Sequence, residues 1–264
     1  MSTPAQAAPP SVLSFAASDP TSGAGLQADV LTLAALGCHP LSVITAVTAQ
    51  DTRGVTQLWP LSSAWIAEQA RVVLADVRLA AFKAGVLGSA DNVRAVGEVV
   101  RRHAQVPFVV DPVLASGRGD PLVDDDAIAA LRETILPRTT VLTPNSVEAR
   151  RLARGATDLD ECARQFVASG CQYVLITGTH EEGAEVVNTL YDQRGLVRED
   201  RWPRLPGTYH GSGCTLASAI AARLAHGAAI ADAVREAQEF TWRALSAGFA
   251  AGGGQLIPNR FYRR

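Results

Sequence analysis

Residues 12–55 read VLSFAASDPTSGAGLQADVLTLAALGCHPLSVITAVTAQDTRGV, and this stretch decides the fold. Its runs at 12–16 and 41–49 have the composition of two strands. Between them Leu26, Val30 and Leu33 recur on one helical face until Gly37 ends the helix. A strand, a helix and a second strand in this order predict neighbouring parallel strands with a helix packed on the sheet.

The same alternation continues along most of the chain. It predicts further strands at 80–84, 108–110, 140–142 and 173–176, and a hairpin at 185–192 and 195–201. Apolar residues at helical spacing predict the remaining helices, which carry Ile66, Val93, Ile128, Leu159, Leu216 and Ile230. We therefore predict an α/β fold whose mostly parallel central sheet has helices on both faces and a small antiparallel extension.

The chain divides into one domain and short end segments. Residues 1–10 read as a disordered tail, and residues 11–264 as a single domain. Within that domain, the glycines at 252–254 are expected to release a second tail after the last helix.

The composition argues against several classes of protein. The chain has 264 residues and a formal net charge of −2, so it lacks the basic surface that nucleic-acid binding needs. No apolar run approaches the roughly 18 residues of a membrane span, and the first ten residues lack signal-peptide features. We expect a cytoplasmic protein that binds neither nucleic acid nor membrane. Its four cysteines show no CxxC spacing, so free thiols are expected.

Polar residues follow five of the predicted strands. They are Ser18-Asp19-Pro20, Gln50-Asp51-Thr52, Asp111-Pro112, Thr143-Pro144-Asn145 and Thr177-Gly178. Strands often end in such residues for turn chemistry alone. The carboxyl ends of parallel strands, however, meet at one edge of a sheet, where ligands bind. Five such ends in one chain favour a binding site at that edge.

The segment YHGSGCT at 209–215 leads directly into an apolar helix. Gly211, Ser212 and Gly213 let backbone N–H groups turn toward one point, where the positive end of the helix favours an anion. This start is suited to a phosphoryl group during transfer. A tight turn without a ligand is the alternative, because a glycine-rich helix start alone is a weak motif.

Cys214 has two interpretations. A lone cysteine is more often a small buried hydrophobic residue than a reactive group. Its position at a helix amino terminus, however, favours the thiolate by lowering the thiol pKa.

Six blocks along the chain resemble the hydroxymethylpyrimidine/phosphomethylpyrimidine kinases of the ribokinase-like superfamily. They are the 12–55 stretch, KAGVLGSA from Lys83, VVDPVLASGRGDPLV from Val109, LTPNSVEA from Leu142, VLITG from Val174 and HGSGCTLASAIAA from His210. The resemblance implies a ribokinase-like fold, ATP with Mg²⁺ as the donor, and the hydroxymethyl group of a thiamine-precursor pyrimidine as the acceptor. It further implies phosphorylation of the resulting monophosphate, and a homodimer.

On the acceptor side, the resemblance assigns Gln50 to recognition of the pyrimidine. A carboxamide offers a donor and an acceptor side by side, complementary to a ring nitrogen and its exocyclic amine. A glutamine that only stabilises a turn is the alternative. Asp19 and Gly25 fall in the matching block that lines the acceptor pocket, and Val86 stands where a methionine is common in the family.

On the phosphate side, Asn145 and Glu148 match the NxxE motif that organises Mg²⁺ and its waters around the nucleotide phosphates. An ordinary helix cap is the alternative. Asp111 is a weaker candidate for Mg²⁺, and the resemblance places Thr177 and Gly178 at the nucleotide. Cys214 stands where related sugar kinases carry an aspartate, so it is expected to act as the base or as a positioning group beside the acceptor hydroxyl.

Departures from the family pattern leave the substrate open. They are Ala17, Ser22, Arg118 and Gln238, in addition to Val86. Arg118 is either a solvated loop charge or a contact to a phosphorylated acceptor. A pyridoxal kinase therefore stays an alternative. A pyrimidine-binding sensor without activity, and a cysteine hydrolase with His210 as its base, are two rivals of other classes.

Overall fold

The computed structural model describes residues 8–116 and 119–263. The first seven residues of the predicted tail, together with Gly117 and Arg118, lie outside the described residues. The strands are β1 (Ser11–Ser18), β2 (His39–Gln50), β3 (Val55–Pro60), β4 (Leu79–Ala84), β5 (Phe108–Val110), β6 (Val141–Leu142), β7 (Tyr173–Thr177), β8 (Glu185–Asp192) and β9 (Gly195–Pro203). The helices are α1 (Gly25–Ala35), α2 (Ser63–Asp76), α3 (Ala90–Arg101), α4 (Asp125–Ala130), α5 (Ser146–Leu152), α6 (Leu159–Ala168), α7 (Ser212–Ala225) and α8 (Ile230–Ser246).

One nine-stranded sheet runs through the described residues in the order β3-β2-β1-β4-β5-β6-β7-β8-β9. The strands from β2 through β7 in this order are parallel. The hairpin β8–β9 continues the sheet in antiparallel fashion, which confirms the predicted α/β fold and its extension. Strand β3 was not predicted; it pairs antiparallel with β2 and forms the opposite edge of the sheet.

Apolar side chains leave both faces of the sheet, because successive residues of a strand point to opposite sides. Leu13 and Phe15 of β1 belong to a buried cluster with residues of α2 through α6. Val12, their neighbour on the same strand, belongs to a second cluster with α1, α7 and α8. Helices therefore cover both faces, as predicted.

Most helices begin at a conventional cap. Ser62, Ser89, Asp124 and Asp158 each accept a hydrogen bond from a backbone N–H three residues ahead. The predicted fourth helix is less regular, because α4 passes into a π-helical turn and then a 3₁₀ turn that ends at Arg138. None of the helices in the described part of the chain combines the length and apolar character of a membrane span.

Candidate active site

Residues 211–214, here called the anion turn, begin α7 without a side-chain cap. Gly211 has φ +81°, a left-handed conformation that favours glycine. A Cβ on Gly211 would lie 2.0 Å from the carbonyl oxygen of Gly23, so the turn is in direct backbone contact with the loop at 18–25. The first N–H groups of an α-helix have no partner inside the helix and are available to an anion.

Asp19 organises the 18–25 loop. Its Oδ1 accepts from the backbone N–H of Thr21 at 2.8 Å, and its Oδ2 from that of Ala24 at 2.7 Å. Oδ2 also lies 2.8 Å from Nε2 of His210. Burial alone would raise the pKa of Asp19, but the hydrogen bonds with His210, Ala24 and Thr21 outweigh it and hold the pKa below its ordinary value. A charged carboxylate thus anchors the loop to the residue before the anion turn.

Gln50, at the end of β2, lies beside the same loop. Its Nε2 donates to Oγ1 of Thr48 at 2.6 Å, and that hydroxyl donates to the carbonyl oxygen of Ser18 at 2.9 Å. The structure therefore connects Gln50 to the anion turn through the 18–25 loop.

The segment that follows the glycines at 252–254 makes a second connection. Gln255 N–H donates to the carbonyl of Thr52 at 2.8 Å, and His210 N–H donates to the carbonyl of Leu256 at 2.9 Å. The expectation of a released tail is wrong for this segment, because its backbone pairs with two loops of the site.

Cys214 is half-buried in the anion turn, beside the backbone N–H of Gly25 and the carboxyl group of Asp111. Burial raises the pKa of its thiol to about 12. Lys83 opposes this rise, whereas Asp111 and Asp29 add to it. The prediction of a thiolate from the helix terminus is therefore wrong for the resting site, since burial and two nearby carboxyl groups outweigh the favourable charges. The cysteine-hydrolase alternative needs His210 as a base for Cys214. In the structure, Nε2 of His210 contacts Asp19.

A buried charge pair that was not predicted from the sequence lies beneath the turn. Lys83 of β4 and Asp29 of α1 are fully buried, and Nζ lies 2.9 Å from both carboxylate oxygens. Ser218 of α7 donates to Oδ1 of Asp29 at 2.8 Å. Burial alone would lower the pKa of Lys83, but the negative charge of Asp29, its hydrogen bonds and the charge of Asp111 raise it. The pair fixes α1, α7 and the sheet against each other directly below the candidate site.

Asp111 and Glu148 form a second buried pair, both of them acidic. Burial raises the pKa of Asp111 to about 6 and that of Glu148 to about 8, and the charge of Asp111 adds to the rise at Glu148. Within the described residues, Oδ2 of Asp111 is buried and has no hydrogen-bond partner. No group of three potential metal ligands occurs among these residues. Two clustered carboxyl groups with an unsatisfied oxygen fit a cation that keeps most of its waters.

Asn145 and Glu148 also form the capping box of α5. Oδ1 of Asn145 accepts from the N–H of Glu148 at 2.9 Å, and Oε2 of Glu148 accepts from the N–H of Asn145 at 3.0 Å. The ordinary cap is therefore present, and it fixes both side chains at the carboxyl edge of the sheet. Asn145 further forms a parallel bridge with Thr177, which brings two residues predicted at the nucleotide together.

Gly178 follows at the end of β7, where a Cβ would lie 2.3 Å from the carbonyl oxygen of Val187. Its N–H donates to Oδ1 of Asn188 at 3.2 Å, and Nδ2 of Asn188 donates to Oε1 of Gln238 at 2.9 Å. Gln238 is buried and donates in turn to Asp200 at 2.8 Å. The departure at Gln238 therefore supports Gly178 through a hydrogen-bond network that runs from Asn188 to the carboxylate of Asp200.

Val86 lies just beyond β4 and is partly exposed. Its carbonyl oxygen accepts from Oγ1 of Thr45 at 2.6 Å. Next to it, the N–H of Gly85 donates to the carbonyl of Phe15 at 2.9 Å. Val86 is thus held at the carboxyl edge between β1, β2 and β4, on the side of the site where Gln50 lies.

Comparison with known proteins agrees with the resemblance. A family model described as phosphomethylpyrimidine kinase matches residues 19–259. A hydroxymethylpyrimidine/phosphomethylpyrimidine kinase of Streptomyces coelicolor is 43% identical over 93% of this chain and 92% of its own. The pyridoxal kinase of Staphylococcus aureus, solved with AMP-PCP and pyridoxal, has a TM-score of 0.88 at 27% identity, covering 97% and 95% of the two chains. A phosphomethylpyrimidine kinase structure from Clostridium difficile has a TM-score of 0.77 at 31% identity, covering 88% and 97%. The fold is ribokinase-like, as predicted.

Proposed function

Since this chain belongs to the phosphomethylpyrimidine kinase family, we propose that it transfers the γ-phosphate of ATP to the hydroxymethyl group of 4-amino-5-hydroxymethyl-2-methylpyrimidine. It then phosphorylates the monophosphate to the diphosphate in thiamine biosynthesis. The observation that carries this proposal is the contact of the 18–25 loop with the anion turn, at Gly23 and Gly211, and with the residue before the turn, where Nε2 of His210 lies 2.8 Å from Oδ2 of Asp19. That contact joins the side that holds Gln50 to the side that is built to bind phosphate.

Gln50 recognises the pyrimidine in this proposal. One N–H of its carboxamide reaches Thr48. The carboxamide has a second N–H and a carbonyl oxygen, which match a ring nitrogen and the amine next to it. Asp19, Gly25 and Val86 shape the same side of the pocket.

The anion turn stabilises the phosphoryl group during transfer. Charge develops on the oxygens of that group, and N–H donors fixed by the fold need no rearrangement to meet it. Cys214 lies within this turn as a thiol. It serves as a base only after it loses its proton, and the charge of Lys83 and the backbone N–H of Gly25 are the groups that favour the resulting thiolate.

ATP binds with its phosphates toward Asn145, Thr177 and Gly178. Glu148 and Asp111 would hold Mg²⁺ through its waters, and the ion when bound would neutralise charge on the phosphates. The unsatisfied oxygen of Asp111 supports this assignment, because a nearby cation would satisfy it.

Vitamin B6 is the second candidate substrate. The pyridoxal kinase of Staphylococcus aureus superposes with a higher TM-score, 0.88, than the phosphomethylpyrimidine kinase of Clostridium difficile, 0.77. Both substrates present a hydroxymethyl group on a six-membered ring with nitrogen. Similarity of fold therefore favours neither the pyrimidine nor pyridoxal as the substrate.

The deciding experiment measures ATP consumption with hydroxymethylpyrimidine, its monophosphate and pyridoxal side by side. We expect the first two to be turned over with the higher kcat/KM. Exclusive turnover of pyridoxal would establish the second candidate instead. Nucleotide or pyrimidine binding without consumption of ATP from any of the three would identify a sensor and refute the kinase proposal.

We further propose that the enzyme is a cytoplasmic homodimer that uses the β2–β3 edge. Val47 and Trp59 face each other across these strands, and they are 44% and 73% exposed. Large exposed apolar side chains on an edge strand favour pairing with another chain. Trp59→Glu should convert a dimer to a monomer in sedimentation equilibrium. An unchanged mass would exclude this edge as the interface.

A further inference from the structure

Arg260 lies between the 18–25 loop and the first turn of α7, with only 3% of its surface exposed. Its Nη2 donates to the carbonyl oxygen of Gly23 at 2.5 Å, and its Nη1 to that of Ser22 at 3.3 Å. Its Nε donates to Oγ1 of Thr215 at 3.1 Å. One guanidinium group therefore ties the loop on the acceptor side to the helix that follows the anion turn.

The charge of Arg260 is not directly compensated. Across residues 8–116 and 119–263, no carboxylate forms an ion pair with it, and Cys214, Asp29 and Asp19 influence it from farther away. Burial lowers its pKa, but an arginine remains charged in proteins. A buried cation without a counter-ion is unfavourable. A negative group bound at the anion turn would offset that penalty.

The carbonyl oxygen of Gly23 explains why a cation is needed here. This oxygen lies against Gly211 at the start of the anion turn, so its partial negative charge is beside the turn that would receive a phosphate. Such a charge repels a phosphate unless a donor neutralises it. The shortest hydrogen bond of Arg260 is made to this same oxygen.

The backbone conformation of Ser22 is a second reason for a buried cation at this position. Ser22 has φ +59° and is the one residue other than glycine with positive φ in the described part of the chain. The left-handed conformation is unfavourable for a residue with a side chain. Arg260 binds the carbonyl of this strained residue, which indicates that the loop is held in place rather than relaxed.

We propose that Arg260 is a positioning residue for phosphoryl transfer. It fixes the 18–25 loop against the anion turn, and it neutralises the Gly23 carbonyl so that a phosphate can bind beside Gly211. The expected effect of Arg260 on kcat rests on the proposed function. Its expected effect on the binding of phosphate does not depend on which alcohol is the substrate.

The first test compares Arg260→Met and Arg260→Lys with Arg132→Met. Arg132 is a matched control, because its guanidinium also binds two backbone carbonyls, those of Leu152 and Arg151, away from the site. We expect Arg260→Met to lower kcat roughly 100-fold, as for a change outside the reacting groups that displaces them, with smaller changes in KM. Arg260→Lys should retain more activity, and Arg132→Met should affect stability alone. A folded Arg260→Met enzyme with wild-type kcat would overturn the proposal.

The second test separates charge from packing. Guanidinium or methylguanidinium ions, at concentrations far below denaturing ones, should restore activity to Arg260→Ala and leave Arg132→Ala unchanged. Failure to restore activity to a folded Arg260→Ala enzyme would mean that Arg260 only packs.

Binding of inorganic phosphate provides a readout that does not depend on the substrate. Phosphate should raise the melting temperature of the wild type, and Arg260→Met should abolish that increase. An equal increase in both proteins would refute the role of Arg260. A wild type that binds phosphate through Arg260 but phosphorylates none of the three alcohols would instead refute the kinase function and leave this inference standing.

Discussion

Nε2 of His210 lies 2.8 Å from Oδ2 of Asp19, although 191 positions separate the two residues in the chain. Asp19 follows the first strand, and His210 precedes the anion turn. The contact therefore brings the two ends of the candidate site together, and its removal tests how the site is assembled.

Asp19→Asn should lower the free energy of unfolding by about 1–3 kcal/mol at pH 7, because hydrogen bonds to a charged group are lost. The folded pKa of Asp19 is depressed, so its contribution is fully present above the unfolded pKa of about 3.9 and is lost as the pH falls through the folded pKa. Urea denaturation of both proteins should thus show a constant difference above about pH 5 that shrinks below about pH 4. A difference independent of pH would contradict the role of the charge.

Cys214→Ala should slow phosphorylation of the alcohol far more than phosphorylation of the monophosphate. The alcohol must lose a proton of very high pKa, whereas the phosphate nucleophile is already ionised near neutral pH. We expect a loss of about 100-fold or more in the first step and less than about tenfold in the second. Single-turnover assays of each step measure the two rates. Cys162→Ala, at a buried cysteine in α6, is the control and should leave their ratio unchanged. Equal losses for Cys214→Ala would show that the thiol only shapes the turn.

Glu148→Gln should raise the Mg²⁺ concentration needed for half-maximal activity by about tenfold or more. Glutamine can still accept the hydrogen bond from the N–H of Asn145, so the capping box and the stability should be retained. Asp158→Ala removes a cap from α6, and it should cost about 1 kcal/mol without changing the Mg²⁺ requirement. Titration of activity with Mg²⁺ together with thermal denaturation measures both effects. An unaltered Mg²⁺ requirement in Glu148→Gln would leave Glu148 as a cap only.

Gly211→Ala should abolish phosphoryl transfer and destabilise the protein by more than the roughly 1 kcal/mol of a left-handed alanine. The added Cβ would meet the Gly23 carbonyl oxygen at 2.0 Å and separate the two loops. Gly227→Ala is a matched control, since Gly227 has φ +85° and nothing within 4 Å of its Cβ position. Gly227→Ala should lose only the stability that a left-handed conformation costs an alanine, and it should keep its kcat. Comparable effects of the two substitutions would mean that the contact with Gly23 is unimportant.

The strands that lie between other strands were predictable, because burial on both faces makes them continuous apolar runs. The edge strand β3 was not. Thr56 and Gln57 interrupt its apolar pattern, Pro60 ends it, and its residues are exposed or half-exposed. β3 therefore leaves no periodic signal, whereas the other edge strand, β9, was predicted as the second strand of a hairpin with β8.

The anion turn and the capping box were predictable, because each is local in the chain and its parts stand at fixed spacing. Lys83 was visible only as one lysine in an apolar run, and its partner Asp29 stands 54 residues away. Arg260 follows three glycines that favour a loose end. The thiolate at Cys214 was predicted wrongly for a related reason, since burial and the charges of Asp29 and Asp111 depend on the tertiary structure.

The pairing of residues 255 and 256 with the loops at 52 and 210, and of Arg260 with Gly23, has a consequence for biosynthesis. Strands β1 through β9 leave the ribosome before residues 255–260 do. The contacts that residues 255, 256 and 260 make with the loops of the candidate site are therefore among the last to form during synthesis. A chain that stops before residue 255 would contain every strand of the described sheet and yet lack these contacts.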